Sequence, residues 1–222
     1  MRIALLGGTG DIGEGLALRW GLDTDHELLV GSRDPDRGAE SAAAYVEELA
    51  DRGVDAEVEG LGNAAAAERA DVVVLSVPPY HVGDTVEAVA DGLGPGDVLV
   101  SPAAGITRDE DGFHYHRPGA GSVTRVAAEA APDGVPTVGA FHNLPAGRLA
   151  DLDADLGIDT LVVADDADAK ATVVDLAEGI EGLRALDAGP IANAPEIEAL
   201  TPLLINVAGN NEGLHDLGVR FR

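Results

Sequence analysis

The sequence has no cysteine and only one lysine, Lys170, in 222 residues. Without cysteine there are no disulfides, no thiolate nucleophile and no cysteine-held zinc or iron–sulfur centre. Positive charge of either kind is scarce: 14 Lys and Arg stand against 40 Asp and Glu, for a formal charge of −26. Such a chain lacks the electrostatic footprint of a nucleic-acid binder or an anionic-membrane binder. No run of 18 apolar residues appears, so no transmembrane helix is expected. The N-terminus, Met1-Arg2-Ile3-Ala4-Leu5-Leu6, meets glycines too soon for a signal peptide. The expected location is the cytoplasm.

Several catalytic signatures are missing as well. Tyr45, Tyr80 and Tyr115 are followed four residues on by Leu49, Asp84 and Gly119, which excludes the Tyr–Lys pair of a short-chain dehydrogenase. There is no Walker A loop and no Gly-x-Ser-x-Gly elbow. Of six histidines, only His114 and His116 sit at a spacing that suggests metal, and no third ligand joins them, so no metal is expected. The acids Asp165, Asp166 and Asp168 lack calcium-loop spacing and read as an acid-rich helix start.

What is present is a chain with 45% apolar residues, enough for a substantial core. The acids are spread through patterned segments rather than gathered in a tail. That distribution suits a surface built for high salt, where self-repulsion is screened within roughly 3 Å at about 1 M. A halophilic source is expected, an acidic mesophile being the alternative.

Short apolar runs alternate with helical patterns. Ile3–Leu6, Leu28–Val30, Val72–Val77, Val98–Val100 and Val138–Phe141 are continuous apolar stretches, as strands buried on both faces are. Between them Ile12–Trp20, Ala39–Arg52, Asn63–Arg69, Val82–Asp91 and Val123–Ala130 read as helices, with Asn63 as an N-cap. This alternation predicts βαβ units in an α/β, Rossmann-type, doubly wound parallel sheet. After residue 141 the rhythm changes: strands at Leu161–Val163 and Leu183–Leu186 flank a helix at Asp168–Gly179. A last helix runs from Pro195 to about Asn210 with Ile197, Leu200, Leu203, Leu204 and Val207 on one face. The expected division is therefore residues 1–141, a nucleotide-binding domain, and 142–222, a smaller α/β domain whose last helix packs on the first domain or on a partner subunit.

Gly8-Thr9-Gly10-Asp11-Ile12-Gly13 follows the first strand and opens the first helix. In that context Gly8 allows the tight turn, Gly10 lets backbone approach a pyrophosphate, and Gly13 lets helix and strand pack closely. The helix N-terminus supplies free N–H groups and a favourable dipole for phosphate. An NAD site places a carboxylate about 20 residues on, at the end of the second strand. Here that place holds Gly31-Ser32-Arg33, with Ser32 lying 19 residues beyond Gly13. Arg pairs with a ribose 2′-phosphate in bidentate fashion and Ser donates a further bond. Thr9 is within reach of the same phosphate and Arg37 is an extra cation one turn on, so NADP(H) is the expected nucleotide. Val77 at the end of one strand, Pro78 and His81 just beyond it, and Ala103 beyond another are expected to add cofactor contacts. His142 closes a further strand and begins His142-Asn143-Leu144-Pro145-Ala146, at the end of the sheet where ligands bind.

Taken together, Arg2 to Arg19, Val30-Gly31-Ser32-Arg33, Val100-Ser101-Pro102, Phe141-His142-Asn143-Leu144-Pro145-Ala146, Leu186-Asp187-Ala188-Gly189-Pro190-Ile191, Leu200-Thr201-Pro202-Leu203 and Leu217-Gly218-Val219-Arg220-Phe221 span almost the whole chain. In these segments the sequence resembles the F420H2:NADP oxidoreductases of archaea and actinobacteria. The resemblance implies reversible hydride transfer between coenzyme F420, a deazaflavin, and NADP(H), in a homodimer; joined to the acid-rich composition, it makes a halophilic archaeon the expected source. It implies that Thr9, Ser32 and Arg33 hold the 2′-phosphate and that Leu144, Pro145 and Ala146 lie at the nicotinamide. It also implies that His142, Asn193 and Val207 contribute to the deazaflavin pocket, completed by residues 142–222. Two places depart from the family pattern: Ala192-Asn193-Ala194 stands for Ser-Asn-Ser, and Pro78-Pro79-Tyr80 lacks a tryptophan-like bulk.

Hydride transfer between two bound rings needs neither nucleophile nor metal, because the redox chemistry belongs to the cofactors. No catalytic acid or base is therefore expected. Two alternatives are an NADPH-dependent reductase of another small acceptor, an imine or a flavin, and a non-catalytic NADPH sensor. Small-molecule substrates are the expected partners.

Overall fold

The computed structural model describes residues 1–222. Eight strands form one sheet: β1 (Arg2–Leu6), β2 (Glu27–Ser32), β3 (Val58–Gly62), β4 (Val72–Leu75), β5 (Val98–Ser101), β8 (Thr137–Gly139), β9 (Ile158–Ala164) and β10 (Leu183–Asp187). Their order is β10-β9-β8-β5-β4-β1-β2-β3. All neighbours are parallel except β8 and β9, which run antiparallel. Two further strands, β6 (Ile106–Asp109) and β7 (Gly112–Tyr115), form a separate antiparallel hairpin.

Helices cover both faces, as a mostly parallel sheet requires. They are α1 (Asp11–Asp23), α2 (Pro35–Asp51), α3 (Asn63–Arg69), α4 (Val82–Val89), α5 (Val123–Ala130), α6 (Ala146–Ala150), α7 (Ala167–Glu178), α8 (Ala194–Glu198) and α9 (Leu200–Asn210). The two sides of the sheet carry separate cores. One gathers Ile3, Leu5, Leu16, Trp20, Leu28 and Val30 with residues of β8, β9 and α7, and the other gathers Ala4, Leu6, Leu29, Val73, Leu75, Val86 and Leu99. The alternation of β1 residues between the two clusters is the period-2 side-chain pattern of a strand. Each fully buried Leu or Ile contributes about 1.5–3 kcal/mol relative to exposure. No helix is long and apolar enough to cross a membrane.

The boundary expected at 141/142 falls between β8 and β9, which are hydrogen-bonded neighbours in one sheet. The single last helix expected from Pro195 is two, α8 and α9, separated at Ala199. Pro202 explains the break, because it lacks an N–H and its ring would clash with the carbonyl four residues earlier. The strand expected through Val77 stops at Leu75, and that expected through Phe141 stops at Gly139. Asn63 is the first helical residue of α3 rather than its N-cap, which is Gly62. Asp166, in the acidic run, does cap α7, accepting from the Ala169 N–H at 2.8 Å.

Candidate functional site

A cleft of about 760 Å³ opens along the carboxyl ends of β1, β2 and β4, within the roughly 300–1,000 Å³ typical of ligand sites. It lies where the order of strand connection reverses, between β1 and β4, the usual ligand crevice of an open α/β sheet. Thr9, Gly10, Ser32, Arg33, Arg37, Val77, Pro78 and His81 all line it.

The glycine loop is shaped by close contacts. The left-handed residue of the turn is Gly7, at φ +77°, one before the glycine to which the sequence assigned the turn. A Cβ on Gly8 would lie 2.7 Å from the Leu5 carbonyl oxygen, and one on Gly13 would lie 2.5 Å from Gly8 Cα. Gly10 would meet only the Gly7 oxygen, at 3.5 Å, so its face is open to the cleft. Gly10 also caps α1 and has no side chain to bond the helix end. The first-turn amides of Asp11, Ile12 and Gly13 consequently make no hydrogen bond within the chain, the condition that makes a helix start an anion site. The Tyr45 hydroxyl of α2 donates to the Gly8 carbonyl at 2.9 Å. Burial pushes its pKa up to about 12, so it stays a donor.

At the end of β2, Ser32 is buried and its Oγ accepts from the Asp34 N–H at 3.2 Å, which leaves the hydroxyl proton free to donate. Arg33 and Arg37 are exposed. Arg2, Arg52, Arg69, Arg184 and Lys170 pair with carboxylates, whereas Arg33 and Arg37, like seven arginines elsewhere in the chain, do not. In a chain with 40 acids, two unpaired guanidinium groups on one cleft are a marked concentration of free positive charge.

Asn63, Ser76 and Gly7 line the same cleft and were not expected there, Asn63 having been read only as a helix cap. The Asn63 Oδ1 is buried without a partner, and the Ser76 hydroxyl donates to the Leu6 carbonyl at 3.1 Å, closing the gap between the ends of β1 and β4. An Asn at a helix start reads as a cap, which is why its place in the cleft went unseen.

The remaining expected residues lie elsewhere. Ala103 is buried in the core beyond β5. Beyond β8 the chain turns sharply at Phe141, whose φ of +67° costs a bulky residue about 1–3 kcal/mol. Trp20 holds its ring edge-on at 5.8 Å, and the Phe141 N–H donates to Thr160 Oγ1 at 2.9 Å. His142 and Leu144 are buried, while Pro145 and Ala146 are partly exposed at the start of α6. Asn193 is exposed, and its Nδ2 donates to the Ala188 carbonyl at 2.7 Å. Val207 is exposed on α9, one turn beyond exposed Leu203.

A buried polar chain underlies the His142 segment. Glu198 of α8 has no exposed surface, and its two oxygens accept from the Val123 and Thr124 amides, the Thr124 hydroxyl and the Tyr115 hydroxyl, all at 2.9–3.0 Å. Burial pushes its pKa up, against four donors that favour the anion. Thr124 Oγ1 also meets His142 Nε2 at 3.2 Å, and His142 Nδ1 has no partner. His114 bonds Asp109 at 2.9 Å, and no group of three potential ligands gathers as a metal site.

Residues 2–105 match the family described as NADP oxidoreductase, coenzyme F420-dependent. The chain is 40% identical over 224 residues to the F420-dependent NADP reductase of Methanothermobacter marburgensis, covering all of this chain and 98% of that one. It is 39% identical over 210 residues to the enzyme of that name from Methanocaldococcus jannaschii, covering 93% and 92% of the two chains. Among solved structures, one from Arthrobacter sp. FB24 ascribed F420-dependent NADP-reductase activity superposes with a TM-score of 0.80 at 24% identity, covering 100% and 99% of the two chains. A pyrroline-5-carboxylate reductase from Coxiella burnetii superposes at 0.61 with 19% identity, covering 96% of this chain and 72% of that one. Both solved structures speak for the fold.

Proposed function

The chain belongs to the coenzyme F420-dependent NADP oxidoreductase family, and on that premise we propose how its own residues divide the work of reversible hydride transfer between coenzyme F420 and NADP(H). The observation that carries the NADP(H) half is the unpaired Arg33 beside Ser32, where a carboxylate would favour NAD. Arg33, Arg37, Ser32 and Thr9 bind the 2′-phosphate. The Asp11, Ile12 and Gly13 amides take the pyrophosphate at the start of α1, with Gly8 and Gly10 giving it access. Asn63, on the cleft wall at the start of α3, reaches a hydroxyl of the adenosine ribose. Val77, Pro78 and His81 line the path toward the reacting ring, and Ala103 backs it.

Leu144, Pro145 and Ala146 flank the nicotinamide, and His142, Asn193 and Val207 shape the deazaflavin side, so that residues 142–222 complete a pocket opened by residues 1–141. When both substrates are bound, the reduced deazaflavin would supply a hydride to the oxidised nicotinamide and release its ring proton to solvent, and the reverse reaction would take a proton up. The protein's part is alignment and exclusion of water, which can supply several kcal/mol of barrier lowering. We read no side chain as acid or base. The exposed apolar residues Leu203, Ile205 and Val207 of α9 favour a homodimer formed through that helix. The acid surface favours work in a high-salt cytoplasm.

The test is an assay of the full chain at high salt with NADP+ and reduced coenzyme F420. Return of the deazaflavin's visible band together with NADPH formation is expected. Folded protein that binds NADPH but never restores that band would overturn the reading.

A further inference from the structure

Arg19 lies on α1, one turn below Gly15, and only 4% of its surface is exposed. No carboxylate pairs with it. Its guanidinium instead donates to four backbone carbonyls of one distant segment: Arg148 at 3.0 Å, Leu149 at 3.0 Å, Asp151 at 2.6 Å and Ala154 at 2.9 Å. Arg148 and Leu149 belong to α6, so the cation caps the free carbonyls of that short helix and is matched to its dipole. Burying a guanidinium is costly unless its donors are satisfied, and here the acceptors are backbone oxygens, which fix the position of the chain rather than of one side chain.

Two neighbouring observations point the same way. A Cβ on Gly15 would lie 2.5 Å from Leu149 Cβ, so α1 and α6 approach at a distance only glycine allows. Trp20, next to Arg19, holds Phe141 at the other end of the same segment. The helix whose first turn offers amides to the pyrophosphate therefore grips, with its next two turns, both ends of the loop that carries Pro145 and Ala146.

We infer that Arg19 is a positioning residue: it sets the nicotinamide-side loop at a fixed distance from the phosphate-binding turn, so that one rigid helix registers both ends of NADP(H). This rests on the reading of Pro145 and Ala146 as nicotinamide neighbours. A residue that only stabilised the fold would weaken binding of every part of the nucleotide alike.

The test uses full-length Arg19→Lys, Arg19→Met and Gly15→Ala proteins at high salt. Affinity is measured by calorimetry for 2′,5′-ADP, the adenosine half alone, and for NADP+, and kcat is measured with coenzyme F420. Expected is unchanged affinity for 2′,5′-ADP, a selective loss for NADP+ and a fall in kcat of roughly 10- to 100-fold, the scale of an ångström-sized misplacement. Lys should retain more activity than Met. If Met does not fold, Lys and Gly15→Ala carry the comparison. A parallel loss of 2′,5′-ADP and NADP+ affinity, or no loss of either with kcat unchanged, would overturn the inference. The two binding measurements need no deazaflavin, so failure of the wild type to use coenzyme F420 counts against the proposed function and leaves the Arg19 comparison intact.

Discussion

The Thr124 hydroxyl stands 3.2 Å from His142 Nε2, with its own proton directed to Glu198 Oε1 3.0 Å away. A hydroxyl that donates to a carboxylate can only accept from the imidazole. His142 is therefore held as the Nε2–H tautomer, with Nδ1 as a free lone pair. Burial pushes its pKa down to about 3. The native protein then binds no proton at His142 between that value and the ordinary histidine value near 6.5, whereas the unfolded chain does. His142 therefore contributes a stability that is complete above about pH 6.5 and declines as the pH falls toward 3, by at most about 1.4 kcal/mol per pH unit. Urea unfolding of wild type and His142→Gln across this range checks it: the pH slope should be shallower in the variant. Turnover should show no pH break owed to His142.

Tyr45→Phe removes the hydroxyl that anchors the Gly8 carbonyl. Loss of one such bond costs about 0.5–1.5 kcal/mol. NADPH affinity should fall by up to roughly 12-fold, while kcat at saturating NADPH stays near the wild-type value. Fluorescence titration with NADPH and steady-state kinetics check both halves.

Arg33→Asp exchanges the free guanidinium at the end of β2 for the carboxylate that suits a ribose 2′-OH. Charge-assisted bonds of this kind are worth about 1.5–3 kcal/mol. The kcat/KM for NADPH should fall roughly 10- to 150-fold, with little loss or a gain for NADH. Equal loss for both nucleotides would remove Arg33 from the 2′-phosphate site.

The charge of −26 gives a prediction about salt. The range of electrostatic repulsion shrinks from about 10 Å at 0.1 M to about 3 Å at 1 M. Thermal unfolding should shift to markedly higher temperature over that interval, and full stability in dilute buffer would contradict a surface adapted to high salt.

Much of this arrangement was legible in the sequence, for physical reasons that differ by element. The strands of the central sheet are buried on both faces, so β1, β2, β4 and β5 appear as unbroken apolar runs. Ser122, which accepts from the Arg125 amide at 3.0 Å, marks the start of α5, whose expected bounds agree with those observed. β3, with the sequence Val-Glu-Gly-Leu-Gly, is an edge strand only partly buried, and its glycines and glutamate hide it. The β6–β7 hairpin lies outside the main sheet and carries Arg108, Asp109 and His114, so no apolar alternation reveals it. The antiparallel pairing of β8 and β9 is likewise invisible, since a single strand does not encode its partner's direction.

In the cleft, the glycine spacing and Ser32-Arg33 were readable because each is a local signal in the turn that follows one strand. Arg19 was not. It reads as one charge on an amphipathic helix, and its acceptors lie about 130 residues away. Nor did the sequence reveal Asn63 as a buried unpaired acceptor, because that depends on how closely β2 and α3 approach at Gly31.

The most direct test of the account follows a labelled hydrogen. NADPH carrying deuterium at the transferred position of its nicotinamide is mixed with oxidised coenzyme F420 and the protein in ordinary water at high salt. Mass spectrometry of the reduced deazaflavin should find the deuterium transferred intact, because two aligned rings exchange a hydride directly and no side chain handles it. Reduced deazaflavin without deuterium, its hydrogen drawn from solvent, would contradict direct transfer by ring positioning.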